Sequence, residues 1–106
     1  MTFRDLEKII IATARKSQAW TLISLLLDSF DNGQNCVDID TIIAETGLNN
    51  ANISAVTKRL KEFGVLTILY KDMKKENGDF SEIRNGRWSK AYYKLSQSVL
   101  ELYKRG

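Results

Sequence analysis

The chain has 106 residues, of which 43% are apolar and 27% are charged, and its formal net charge is +3. These values are typical of one globular domain, and no apolar run is long enough to span a membrane. Histidine is absent and Cys36 is the single cysteine, which excludes the commonest general base, an internal disulfide and a thiolate metal site. We therefore expect a cytoplasmic protein without catalytic activity, metal or cofactor.

The charge is distributed unevenly along the chain. Residues 1–57 carry four basic and seven acidic side chains, whereas residues 58–106 carry twelve basic and six acidic ones. An excess of cations in one half favours a polyanionic partner for that half. The alternative is a solvated, lysine-rich surface, and the charge pattern alone does not separate the two.

Two helices are predicted before the first turn. Apolar residues at helical spacing indicate a helix over residues 3–15, and its apolar stripe is wider than one packing contact requires. Ser17 is the candidate N-cap of a second helix that runs to Phe30. This second helix is apolar on almost every side, so we expect it to be the most buried one.

A short strand and a short helix are predicted next. The alternation of apolar and polar residues in Cys36–Ile39 indicates the strand. Asp40 is the candidate cap of a helix over residues 41–46, and Gly47 ends that helix. Glycine suits this position because it adopts the positive φ that such a turn requires.

The following helix begins at Asn49 or Asn50, extends to about Phe63 and ends before Gly64. Its polar face carries one acidic residue, Glu62, which stands at the far end of the helix. The apolar residues expected to hold this helix against the preceding one are Ile42, Ile43, Leu48, Ile53, Val56, Leu60 and Phe63.

The pattern changes after this helix pair. The segments Val65–Tyr70 and Trp88–Leu95 are rich in β-branched and aromatic residues, which predicts a β-hairpin over residues 65–95. The charged stretch between the strands contains two Asn-Gly pairs, which favour turns. Ser96 is the candidate cap of a last short helix over residues 96–105.

The segments Thr41–Leu66 and Gly86–Ser96 resemble winged helix-turn-helix regulators of the multiple-antibiotic-resistance and arsenic-repressor families. The second segment is similar to the end of their wing: Gly-Arg, a basic residue, a tyrosine, and a leucine followed by serine. The resemblance implies one α+β, mostly helical domain over residues 1–106, with about five helices, a two- or three-stranded antiparallel sheet and a long wing. It also implies sequence-specific binding of double-stranded DNA, most naturally by a transcriptional regulator such as a repressor.

In the helix-turn-helix over residues 40–64, the second helix would enter the major groove, where amides and cations pair with base edges or phosphates. The candidate recognition residues are Asn49, Asn50, Asn52, Ser54, Ala55, Lys58 and Arg59. The candidate wing contacts are Lys74, Lys75, Arg84, Arg87 and Lys90. The asparagines could instead act only as caps, and the cations could form a plain solvated face.

A homodimer is expected because both terminal helices, over residues 3–15 and 96–105, carry apolar stripes, and a small monomer would leave one of these stripes in water. A two-fold axis would bury these stripes and present two recognition helices to successive half-sites of DNA. The expected interface residues are Leu6, Ile9, Ile10, Val99, Leu102 and Tyr103.

Two other functions remain open. The length and the C-terminal pattern are similar, more weakly, to the winged-helix adaptors that bind centromere DNA in tubulin-like plasmid partition systems and dock a filament-forming NTPase. A winged helix can also be a protein-interaction module that does not touch DNA. In both DNA-binding cases we expect a protein associated with the nucleoid or a plasmid.

Overall fold

The computed structural model describes residues 1–72, 80–82 and 89–103, and within them the chain forms five helices and three strands. In chain order they are α1 (Phe3–Ala12), α2 (Lys16–Asp31), β1 (Val37–Asp38), α3 (Ile39–Thr46), α4 (Asn50–Glu62), β2 (Leu66–Asp72), β3 (Ser89–Leu95) and α5 (Gln97–Tyr103). This is an α+β, mostly helical fold in the winged-helix arrangement, which confirms the predicted fold class.

The three strands form one antiparallel sheet in the order β1–β3–β2. β3 is the central strand, and Tyr93 on it lies opposite Val37 of β1 and Ile68 of β2. The short strand predicted from its alternation therefore joins the hairpin as a third strand. Ser81, in the segment that connects β2 to β3, exchanges two backbone hydrogen bonds with Tyr70 of β2, at 2.7 and 2.9 Å. This part of the connecting segment therefore lies beside β2.

The centre of the core is α2, which contacts α1, α3, α4 and β3. Its Leu22 and Ile23 are at most 1% exposed, as expected for the helix predicted to be the most buried. One side of α2 remains uncovered, however, because Trp20 is 48% exposed. In the part of the chain that the structure describes, no helix is both long and apolar enough to cross a membrane.

The start of α3 differs from the prediction by two residues. The cap is Asp38, whose carboxylate accepts a hydrogen bond from the backbone N–H of Thr41 at 3.4 Å. Asp38 is also the last residue of β1, so the strand passes directly into the helix. Asp40, the predicted cap, therefore lies inside the first turn of α3.

The helix pair α3–α4 packs as predicted except at its last residue. Ile42, Ile53, Val56 and Leu60 are buried, and Ile43 and Leu48 pack against them. Phe63 is 44% exposed, so its assignment to this cluster is wrong. The reason is local: α4 ends at Glu62, so Phe63 lies just outside the helix and does not continue its buried stripe. Gly64, at a φ of +75°, then turns the chain toward β2.

The terminal helices are covered within the protomer to a greater extent than the sequence suggested. Four of the six predicted dimer-interface residues are at most 6% exposed and belong to the common core, namely Leu6, Ile10, Val99 and Leu102. Ile9 is half-buried against the same core, and Tyr103 keeps 38% of its surface exposed. Most of both stripes therefore packs within the chain, and the large apolar residues of α1 and α5 that stay exposed are Phe3, Ile11 and Tyr103.

The turn between α1 and α2 lies earlier in the chain than predicted. α1 ends at Ala12, and α2 begins at Lys16. Arg15 occupies the N-cap position without a side-chain capping bond, so Ser17, the predicted cap, lies inside the helix. Between the helices, Ala14 has a φ of +59°, a left-handed conformation that costs a residue with a Cβ about 1 kcal/mol.

The substitution Ala14→Gly is expected to raise the free energy of unfolding by about 0.5–1 kcal/mol, because glycine adopts a positive φ without this strain. Ala44→Gly, at an exposed position inside α3, is the matched control and should lower the free energy of unfolding by a similar amount. Urea denaturation measures both values. Equal destabilisation by the two substitutions would contradict the assigned strain.

Candidate nucleic-acid interface

The start of α4 is fixed by an asparagine cap. Asn49 Oδ1 accepts a hydrogen bond from the backbone N–H of Asn52 at 2.8 Å, which identifies Asn49, and not Asn50, as the cap. The side-chain oxygen of Asn49 is therefore engaged with the helix backbone. Asn50 is the first helical residue and is exposed, so its side chain remains available to a ligand.

The exposed face of α4 lies opposite its four buried residues. Ala51, Ala55 and Lys58 recur at a spacing of four and three residues, which places them along the outer side of the helix. Ser54 and Arg59 flank this line and are exposed. The two alanines keep the N-terminal half of this face thin, so the helix backbone can approach a groove closely. Ala51 was missed at the sequence level, although it stands four residues before Ala55.

The cations of α4 form no ion pair within the described part of the chain. Lys58, Arg59 and Lys61 are exposed, and the ion pairs found among residues 1–72, 80–82 and 89–103 involve none of them. Glu62, at the C-terminal end, is the one acidic residue in the helix. An exposed cluster of this kind can neutralise phosphates.

Arg15 joins this face from the turn between α1 and α2. Its Nη1 donates a hydrogen bond to Asn52 Oδ1 at 2.8 Å and a longer one, at 3.3 Å, to Gln18 Oε1. Sequence reasoning missed Arg15 as a site residue, because the two partners are 37 residues apart and no local pattern relates them. The contact places a guanidinium beside the N-terminal half of α4.

A second polar contact holds α4 on the sheet. Thr57 is 1% exposed, and its hydroxyl donates to the Ile53 carbonyl at 2.8 Å. The Tyr93 hydroxyl on β3 also hydrogen-bonds to Thr57; burial raises the pKa of Tyr93, and this hydrogen bond partly offsets the rise. Both residues are at most 3% exposed, so they belong to the buried region where α4 packs on the sheet.

The predicted wing contacts have different outcomes. Lys74, Lys75, Arg84 and Arg87 lie outside the described residues. Lys90 is described, and its Nζ forms ion pairs with a carboxylate oxygen of Asp40 at 2.9 Å and of Asp38 at 3.0 Å. Hydrogen bonds to these two carboxylates raise the pKa of Lys90. Because its charge is already compensated within the protein, we remove Lys90 from the candidate interface.

The outer side of the sheet holds aromatic and cationic side chains that support the hairpin. Tyr92 packs edge-on against Phe80 with ring centroids 5.0 Å apart, and Lys71 Nζ lies 5.6 Å from the centroid of Phe80.

Cys36 is half-buried, and burial raises the pKa of its thiol, which opposes formation of a reactive thiolate.

Lys90→Met is expected to lower the free energy of unfolding by up to about 1 kcal/mol at neutral pH, as expected for partly exposed ion pairs. Burial raises the pKa of Asp38, but hydrogen bonds from Thr41 and Lys90 outweigh it and hold this pKa below 3.8. The contribution is therefore present above pH 3.8 and is lost as the pH falls below that value and Asp38 is protonated.

Urea denaturation of Lys90→Met and the parent across this pH range measures the effect. Lys94→Met, at an exposed position on the same strand, is the control and should show little change at any pH. A deficit in Lys90→Met that persists undiminished in acid would contradict the ion-pair interpretation.

Comparisons of this chain with known protein families, curated proteins and solved structures found no match. Among the residues that the structure describes, no group of three or more histidine, cysteine, aspartate or glutamate side chains could hold a metal ion.

Proposed function

We propose that the protein binds double-stranded DNA sequence-specifically, with α4 as the recognition helix. The observation that carries this proposal is the exposed face of α4. There Ala51 and Ala55 have small side chains, and Lys58 and Arg59 are exposed and take part in none of the ion pairs among the described residues. A helix of this shape fits the major groove of B-DNA. The N-terminal half would approach base edges, and the cations would contact guanine or phosphate.

The polar contacts around α4 also support this function. A recognition helix must hold its orientation, because base reading depends on hydrogen bonds with narrow geometric limits. The buried contact between Thr57 and Tyr93 and the packing of Ile53 against the core both constrain α4.

We favour a transcriptional regulator that works in the cytoplasm, associated with the nucleoid or a plasmid, and has neither catalytic activity nor a cofactor. A centromere-binding adaptor of plasmid partition would use the same face of α4 and would add a filament-forming NTPase as its partner. A protein-interaction module is the candidate from a different class. The scarcity of acidic residues on the exposed face of α4 favours DNA over that third candidate.

Duplex binding is expected to weaken steeply with salt, because phosphate contacts release counterions. Lys58→Ala and Arg59→Ala should each reduce affinity by about tenfold or more and lower the salt slope by about one where the side chain contacts a phosphate. Lys8→Ala, at an exposed position on α1, is the control and should bind as the parent does.

Fluorescence anisotropy over a salt series, with duplexes selected from a random pool, provides the measurement. Failure of the parent protein to bind any duplex at low salt would refute the proposed function. Normal binding by both α4 variants would show that a different face is used.

We also propose that the DNA-binding form is a homodimer, and a groove beside α1 supports this. Phe3 and Trp20, which line the groove, are 56% and 48% exposed. Tyr103 also lines it and packs edge-on against Phe3 with ring centroids 5.3 Å apart. The groove has a volume of ≈290 Å³ and is mostly apolar. Contiguous exposed aromatic surface of this kind typically marks a protein interface.

The charges that line the groove favour a second copy of this chain as the occupant. Glu7 and Lys16 both line it, and neither forms an ion pair among the residues described. In a two-fold dimer each surface meets its own copy, so Glu7 of one protomer can meet Lys16 of the other. The proposed interface thus keeps the terminal helices and Tyr103, and adds the exposed aromatic residues to Leu6 and Ile10, which also line the groove.

Trp20→Glu is expected to convert the dimer to a monomer and to reduce affinity for a two-site operator by about a hundredfold, because the two half-sites are no longer linked. Thr21→Glu, at the adjacent exposed position of α2 outside the groove, is the matched control and should remain dimeric.

Analytical ultracentrifugation gives the oligomeric state, and circular dichroism checks that each variant is folded. A folded Trp20→Glu protein that remains dimeric and binds DNA would refute this interface. That result would favour an axis near α4, the geometry expected of a partition-type adaptor.

A further inference from the structure

The amide of Asn52 has a defined orientation, because of its contact with Arg15. Arginine carries only hydrogen-bond donors, so the end of the amide that it contacts must be the oxygen. The 2.8 Å contact between Arg15 Nη1 and Asn52 Oδ1 therefore directs the amide NH2 group away from Arg15. Because Asn52 is only half-buried, this NH2 group can still reach a ligand.

The turn that carries Arg15 is held by further bonds. Thr13 is 6% exposed, and its hydroxyl donates to the Ile10 carbonyl at 2.6 Å and accepts from the backbone N–H of Arg15 at 3.2 Å. Gln18 Oε1 accepts from the Arg15 guanidinium at 3.3 Å. The positive φ of Ala14 is retained in this turn although it is strained. Both the backbone and the side chain of Arg15 are thus directed toward α4.

This orientation determines which base Asn52 can read. Bidentate pairing with adenine requires the amide to accept from N6 and donate to N7 at the same time. An amide whose oxygen is engaged by Arg15 presents its donor end instead. In the major groove, guanine offers two adjacent acceptors, N7 and O6, and no donor.

We propose that Arg15 is a specificity-determining residue, which holds Asn52 as a hydrogen-bond donor and thereby selects guanine over adenine at the base that Asn52 faces. The inference rests on the proposed binding of duplex DNA by α4. Arg15 acts through Asn52 and is in this respect a positioning residue.

The test is a set of binding-site selections from a random duplex pool, followed by affinities for operators that differ at one base pair. Asn52→Ala identifies the operator position that Asn52 faces, because the base preference at that position is the one that this substitution abolishes. There the parent protein should prefer guanine over adenine by about tenfold or more. Arg15→Met removes the donors, leaves the amide free to turn, and should reduce this preference to about twofold or less.

Two further variants separate positioning from a general loss of affinity. Arg15→Lys, whose ammonium is also only a donor, should keep the preference for guanine. In an Asn52→Ala background, Arg15→Met should have no further effect on base preference. Preferences at positions that depend on Lys58 should be the same in the parent and in Arg15→Met.

A parent protein that selects adenine at the Asn52 position would overturn the proposal. So would an Arg15→Met variant that binds all operators more weakly by the same factor with its preference intact, because that result assigns Arg15 to phosphate binding or to folding. Each of these results leaves the proposed function standing. Absence of duplex binding by the parent would refute the proposed function and this inference together.

Discussion

The packing of α4 on the core is the constraint on which the candidate interface depends. Ile53, Val56 and Leu60 are at most 1% exposed, and their spacing of three and four residues occupies one side of the helix. The residues on the opposite side must then face solvent. Rotating α4 by one residue would bring charged side chains into the core, and burying an unpaired charge costs several kcal/mol. The interface is thus set by apolar contacts that do not belong to it.

Features with local causes could be predicted from the sequence. The bounds of α4 follow from Asn49 and Gly64, whose capping and positive-φ roles depend only on neighbouring residues. β1 was predicted from alternation, although its pairing with β3 depends on residues more than fifty positions away. The start of α2 could not be predicted, because Arg15 takes the N-cap position without a capping side-chain bond. The hydrogen bond of Arg15 to Asn52 and the ion pair of Lys90 with Asp38 are tertiary contacts, so no local sequence pattern predicts them.

The terminal helices show why the width of an apolar stripe is an ambiguous signal. A wide stripe indicates more than one packing partner, but it does not say whether the second partner belongs to the same chain. Within the protomer, Leu6 and Val99 join one core, and Phe3 of α1 meets Tyr103 of α5. The partner that the stripe required is therefore supplied largely within the chain. The aromatic surface that stays exposed includes Trp20, which lies on α2, the helix expected to be the most buried.

Lys90 and Arg15 show that a cation's partners within the protein decide whether its charge is available to bind a polyanion. Lys90 lies in the basic half of the chain, yet two carboxylates compensate its charge. Arg15 lies in the acidic half, yet the partners of its guanidinium are the neutral amides of Asn52 and Gln18. These amides accept hydrogen bonds from Arg15 but do not cancel its positive charge. The positive surface beside α4 is therefore assembled from both halves of the chain. A count of charges along the sequence places the cation excess in residues 58–106. In the folded chain Arg15, from the other half, lies at the candidate interface, and the charge of Lys90 is compensated by Asp38 and Asp40.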